Sequence, residues 1–239
     1  MVRKFALMHS AWVIILAAIA VLAIQAPPAL AQDAEEDAET ATEAPAAPVL
    51  TPEERKAIRD NPENTLHLDL STGGRVTIQL YPDIAPNHVN RIKTLVQQGF
   101  YNGIVFHRVI DGFMAQTGDP TGTGQGGSEL PDLEEEFNRI PHLRGTVSMA
   151  RTNDPNSANS QFFIVFYPRF SLDNKYTNFG RVKAGMQYVD LINRGEPPTQ
   201  PSRIIQASLA SQNMPMPNFA EPMDDEPVIT VDDLNAPIG

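Results

Sequence analysis

From residue 66 the chain alternates apolar and polar positions as Leu66-His67-Leu68-Asp69-Leu70, breaks at Gly73-Gly74, and resumes as Val76-Thr77-Ile78-Gln79-Leu80. Successive side chains of a strand face opposite ways, so this pattern predicts a β-hairpin with one buried face. Between residues 86 and 98 the spacing changes. Val89, Ile92, Leu95 and Val96 recur at helical intervals, with Pro86 at the start and Gly99 just beyond the end. Short β-type segments follow at 105–110, 113–116, 146–150, 162–166 and 179–182. A second helix is predicted over 185–193, burying Met186, Val189 and Ile192, and 203–209 reads as a last strand. Many short strands with only two helices favour a β-barrel or sandwich over a parallel α/β sheet.

Charge divides the chain further. The formal net charge of the 239 residues is −11, yet residues 64–210 are neutral. The acids in excess sit in two flanks: residues 32–63, with ten acids against three bases, and residues 211–239, with six acids and no base. Residues 32–50 are Ala, Glu, Asp, Thr and Pro with few large apolar side chains, too little to offset the entropy of ordering, so a flexible tether is expected. Thr51-Pro52-Glu53-Glu54 carries a helix-start signature within this linker, and 211–239 is expected to be a largely disordered tail. At the start, Arg3 and Lys4 precede an apolar run from Ala11 to Ile24, and Ala29-Leu30-Ala31 closes with small residues. That order marks residues 1–31 as a secretory signal peptide. A helix over the run would be about 21 Å long, short of a roughly 30 Å hydrocarbon core. Cleavage after Ala31 and export to the periplasm are expected, with no stable membrane insertion afterwards; an uncleaved anchor facing the periplasm is the alternative.

Composition removes several chemistries. There is no cysteine, so disulfides, thiolate metal sites and thiol nucleophiles are excluded. The acidic balance argues against nucleic acid as a partner. Gly122-Thr123-Gly124-Gln125-Gly126-Gly127 matches GxGxxG by letter, but Asp119-Pro120 precedes it and Pro131 follows, where a dinucleotide site needs a strand and a helix. It reads as a glycine loop. No GxSxG serine is present, the histidines lack metal-ligand spacing, and Glu134-Glu135-Glu136 reads as solvating a loop. What remains is Phe106-His107-Arg108-Val109-Ile110-Asp111-Gly112-Phe113-Met114-Ala115-Gln116, one arginine among aromatics with a glutamine nearby, and the aromatic wall Ser160-Gln161-Phe162-Phe163-Ile164. By residue type alone these are core phenylalanines and a surface charge, or one groove on adjoining strands.

At these residues the sequence resembles the cyclophilins over roughly 65–209. The similarity lies in FHRVIDGFMAQTGDPTGTGQGG at 106–127, RGTVSMAR at 144–151, NSQFFI at 159–164 and LDNKYTNFGRV at 172–182, all in family order. The resemblance implies an all-β fold, a closed eight-stranded antiparallel barrel capped by two helices over residues 64–210, and peptidyl-prolyl cis–trans isomerase activity. It implies Arg108 as the catalytic arginine, with Phe113 and Gln116 as catalytic partners. Phe113, Met114, Phe163 and Leu172 would form the proline pocket; Ala150, Arg151 and Gln161 would line the groove for the preceding residues. Tyr176 would stand at the rim and His107 as a wall beside the arginine. Partners would be proline-containing polypeptides, with no metal or cofactor and a monomeric chain. A proline-peptide binding module or chaperone on the same barrel is the alternative. Ser171 stands where many members carry an aromatic residue, with Phe170 one place earlier, which bears on cyclosporin sensitivity.

Overall fold

The computed structural model describes residues 50–219. The chain divides into two units, 1–47 and 48–239, and the described residues belong to the second. The expected signal peptide, the expected tether up to residue 49 and the part of the expected tail from residue 220 lie outside the described residues.

The alternating stretch folds as the hairpin its pattern predicts. β1 (Thr65–Leu70) and β2 (Gly74–Leu80) pair antiparallel, with Leu66 opposite Ile78 and Leu68 opposite Val76. Gly73 turns the chain at φ +96°, a left-handed conformation that glycine adopts without a Cβ penalty. The inward set Leu66, Leu68, Val76, Ile78 and Leu80 is almost wholly buried. α2 (Pro86–Gln97) lays Val89, Ile92, Leu95 and Val96 against that core. The backbone N–H groups of Asn87 and His88, unpaired within the helix, donate to the Glu136 carboxylate at 3.0 Å. Glu136 thus caps a helix 49 residues away in sequence, instead of solvating its loop.

The remaining strands are β3 (Arg108–Ile110), β4 (Met114–Thr117), β5 (Thr146–Met149), β6 (Phe162–Val165), β7 (Asn178–Ala184) and β8 (Ile204–Leu209). With the hairpin they make one antiparallel sheet in the order β3-β4-β6-β5-β7-β2-β1-β8. The barrel expected to be closed is instead a curled half-barrel. β3 keeps only three of the six residues predicted for it, and the segments leading into the end strands β3 and β8 are joined by one isolated bridge, Val105 to Arg203. α3 (Met186–Asp190) is shorter than predicted; Val189 and Ile192 are buried as expected, whereas Met186 is only partly buried, packed against the edge of the core.

Two flanking pieces join the barrel. α1 (Pro52–Asp60) begins with a full capping box between Thr51 and Glu54. Arg55 and Arg59 both bond to the fully buried Asp83 carboxylate, at 3.3 and 2.9 Å, and the Arg59 guanidinium lies 4.3 Å from the centre of the Tyr81 ring. At the other end Arg75 donates to the Met214 carbonyl at 3.1 Å, and Gln206 to that of Pro215 at 3.2 Å. The packed body therefore runs past 64–210 at both ends.

Candidate active site

Strand register assembles the site. Arg108 on β3 lies opposite Gln116 on β4, Gln116 lies opposite Phe163 on β6, and Phe163 lies opposite Ser148 on β5. Residues facing one another across a ladder share a face, so these four form one cross-strand row. The next row on that face is Ile110, Met114 and Val165. Between them, Val109, Ala115, Ile164 and Val147 point the other way into the main core. Met114, Phe163, Val165 and Leu172 make a separate apolar cluster, with Ile110, Phe113, Ala150 and Tyr176 packed on it.

This second cluster is the floor of a cleft. A cavity of about 230 Å³ is lined by Arg108, Phe113, Met114, Gln116, Ala150, Arg151, Phe163, Leu172 and Tyr176. Nine of the eleven expected site residues thus meet in one place. Gln161 lines an adjoining cavity of about 330 Å³ together with Gln116, Ala150 and Arg151. His107 lines a third, of about 350 Å³, together with Arg108 and Gln116. Ser171 and Phe170 line none of the three, and Phe170 is 65% exposed. The aromatic side chain one place early does not fill the expected edge of the pocket.

The polar groups of the cleft are held in set orientations. Gln161 Nε2 donates to the carbonyls of Gly124 and Gly126, at 3.1 and 2.7 Å, so its Oε1 faces Gln116. Gln116 Nε2 donates to that oxygen at 2.8 Å, which leaves Gln116 Oε1 as the acceptor for a ligand. The glycine loop behind them is shaped by Asp119, whose carboxylate accepts from the backbone N–H of Thr121, Gly124 and Gly126. Burial pushes the Asp119 carboxyl up, but these bonds and that of the Thr121 hydroxyl outweigh it and hold it below the usual value.

The apolar wall is backed in a similar way. Phe163 stands edge-on to Tyr176, with centroids 5.6 Å apart, and stacks at 6.5 Å on the buried His142. His142 spans Asp173, 2.8 Å from Nδ1, and Ser148, 2.9 Å from Nε2. This serine, histidine and aspartate match a hydrolytic triad by residue type, but Ser148 is fully buried behind Phe163 and beyond reach of a substrate. Burial lowers the His142 pKa against the pull of Asp173, and burial likewise lowers that of His107 beside the arginine. Arg151 lies 4.7 Å over the Tyr176 ring and donates to the Lys175 carbonyl, tying the rim to the neighbouring loop. Arg169 lies 5.0 Å over the Phe113 ring. Among the described residues no group of three or more His, Asp or Glu side chains could hold a metal ion.

Sequence reasoning missed the residues that support the site from a distance. Asp119, Asp173, Arg169 and Glu196 are ordinary surface types in the sequence. Only the fold brings Glu196 to Arg108, 88 residues away.

The half-barrel thus sets an arginine, a glutamine and a phenylalanine in one row beside an apolar cleft. Residues 67–209 match the family described as cyclophilin type peptidyl-prolyl cis-trans isomerase/CLD, and the chain belongs to that family. A probable peptidyl-prolyl cis-trans isomerase of Brucella suis is 48% identical over 165 residues, which are 62% of this chain and 84% of the relative. A peptidyl-prolyl cis-trans isomerase-like 1 of Aspergillus fumigatus is 41% identical, covering 58% of this chain and 91% of that one. Among solved structures, the cyclophilin AquaCyp293 from Hirschia baltica superposes with a TM-score of 0.60 at 32% identity, over 70% of this chain and 83% of the other. A Cryptosporidium parvum cyclophilin-type isomerase, crystallised in the presence of the dipeptide Ala-Pro, gives 0.57 at 26% identity, over 61% and 98%. The chain is a cyclophilin-type peptidyl-prolyl isomerase.

Proposed function

We propose that Arg108 accelerates Xaa-Pro rotation in exported polypeptides by donating a hydrogen bond to the prolyl nitrogen as the amide leaves planarity. The uncatalysed barrier is ~18–20 kcal/mol because resonance shares the nitrogen lone pair with the carbonyl. Twisting the bond frees that pair. A donor near the nitrogen then binds the twisted state more strongly than the planar one, which is the condition for catalysis. A guanidinium suits this task, being always protonated and carrying several donors in a fixed fork. A ten-thousand-fold acceleration requires only about 5.4 kcal/mol.

The observation that carries this reading is the row Arg108, Gln116, Phe163 at the edge of the apolar cleft. Phe113, Met114, Phe163 and Leu172 would grip the proline ring, while Gln116 Oε1 accepts an N–H of the flanking chain. Ala150, Arg151 and Gln161 would line the path of the residues before the proline, with Tyr176 at the rim and His107 as a neutral wall. The carbonyl side then turns against a fixed ring, and no nucleophile, metal or cofactor takes part.

The test is exchange of a short Xaa-Pro peptide, measured beside binding of the same peptide. Arg108→Ala should lose most of the rate and keep the binding. Equal rates for the two proteins would favour the binding-module reading. Export is tested separately: the full chain expressed in a Gram-negative host should reach the periplasm with Gln32 as its first residue, whereas a retained Met1 would support the anchored form.

A further inference from the structure

The geometry points to Glu196 as a positioning residue that holds Arg108 ready for catalysis. The inference rests on the reading of Arg108 as the catalytic donor. Arg108 lies on β3, an end strand of three residues, with its side chain about 42% exposed. A long cation there has many rotamers to choose from, and ordering them only when a substrate arrives would weaken the step it serves. Gln116 flanks it on one side across the ladder. The other side is the open flank of the strand, and there the chain returns.

The return is built rather than casual. Val109 and Gly195 form an antiparallel bridge, with N–H to O distances of 2.7 Å from Val109 to Gly195 and 2.9 Å in reverse. In an antiparallel bridge the residue before one partner lies beside the residue after the other, so Glu196 is set beside Arg108. The Glu196 carboxylate accepts from Arg108 Nε at 2.8 Å. Arg194 secures the same loop from its far side, bonding to Asp111 at 3.1 Å and lying 4.2 Å over the Phe166 ring. Bonding through Nε leaves the terminal nitrogens of the guanidinium for the substrate. An exposed ion pair of this kind adds little to folding stability, so its effect should appear in the rate.

The experiment measures kcat and KM for a neutral Xaa-Pro peptide, with peptide Kd measured separately, on wild type, Glu196→Ala, Glu196→Gln and Arg108→Ala, and on the double variant lacking both side chains. Glu196→Ala should lower kcat about tenfold with KM and Kd within twofold of wild type. Glu196→Gln, whose amide oxygen still accepts from Nε, should recover most of that loss. In the Arg108→Ala background the glutamate substitution should change nothing further, since the two act as one unit. Glu196→Ala at full rate would overturn the inference, as would a raised rate, which would mean that the carboxylate holds the arginine away. A further loss in the Arg108→Ala background would assign Glu196 another role and overturn it too. If Arg108→Ala itself keeps the wild-type rate, the catalytic reading fails first, and that outcome is visible in the same data.

Discussion

The two faces of β4 and β6 use similar residues for different ends. Phe162 and Phe163 are adjacent in sequence, and both are nearly buried, at 0% and 5% exposure. Phe162 points inward, where Tyr101 and Phe179 meet it edge-on at 5.5 and 6.2 Å within a continuous core. Phe163 points outward, supported from behind by His142 and at the side by Tyr176, and lines a cleft. The inner row Val109, Ala115, Ile164 and Val147 is apolar throughout, and beside it Phe162 lies between Thr117 and Met149. The outer row admits Arg108 and Gln116, each fixed by a hydrogen bond. A strand with one face in the core and the other on a cleft can therefore hold stability and recognition at neighbouring positions.

That contrast is sharpest where single substitutions separate the faces. Phe162→Ala should cost ~3–5 kcal/mol of stability by opening a cavity in the core, read from denaturant midpoints. Phe163→Ala should cost less stability and raise the KM for Xaa-Pro peptides; similar stability losses for the two would erase the distinction. Arg108→Ala should lower kcat/KM by about 10²–10³, the usual effect of removing one transition-state donor, with an unchanged unfolding midpoint. A large stability loss would move Arg108 from catalysis to structure.

Smaller effects test the support of the outer face. A Cβ at Gly126 would lie 2.2 Å from Asp119 Oδ1 and 2.9 Å from the Thr121 side chain. Gly126→Ala should therefore displace the loop carbonyl that orients Gln161 and raise KM about fivefold, the worth of one hydrogen bond of ~1 kcal/mol. A wild-type KM would show that the amide pair orients without the loop. Acid should act on the histidines behind and beside the cleft. Burial holds the folded-state values of His107 and His142 below the model-peptide 6.5. The unfolded chain then binds more protons, so this contribution is complete above about pH 6.5 and is lost as pH falls toward the folded values. The thermal midpoint should be lower at pH 5 than at pH 7.5, and equal midpoints would contradict the assignment of both rings as neutral.

Much of this was legible along the chain because it depends on local periodicity. The hairpin over Leu66 to Leu80, the helix after Pro86 and the buried positions of Val89 and Ile92 follow from spacing, and the structure places them so. Boundaries were less legible. β3 was expected from residue 105, but that segment leaves the ladder after the single bridge at Val105. The helix signature at Thr51 was readable, whereas its docking was not, because Asp83 meets Arg55 and Arg59 only across 28 and 24 residues.

The sequence by itself determined which residues alternate, where the glycines and prolines interrupt them, and which side-chain types were available for chemistry, all of which act over a few neighbouring positions. Tertiary structure decided that the sheet curls without fully closing. It also decided that Glu136 caps a distant helix and that Glu196 stands against Arg108. Those outcomes depend on strand register and loop return, which join groups tens of residues apart and leave no trace in local spacing.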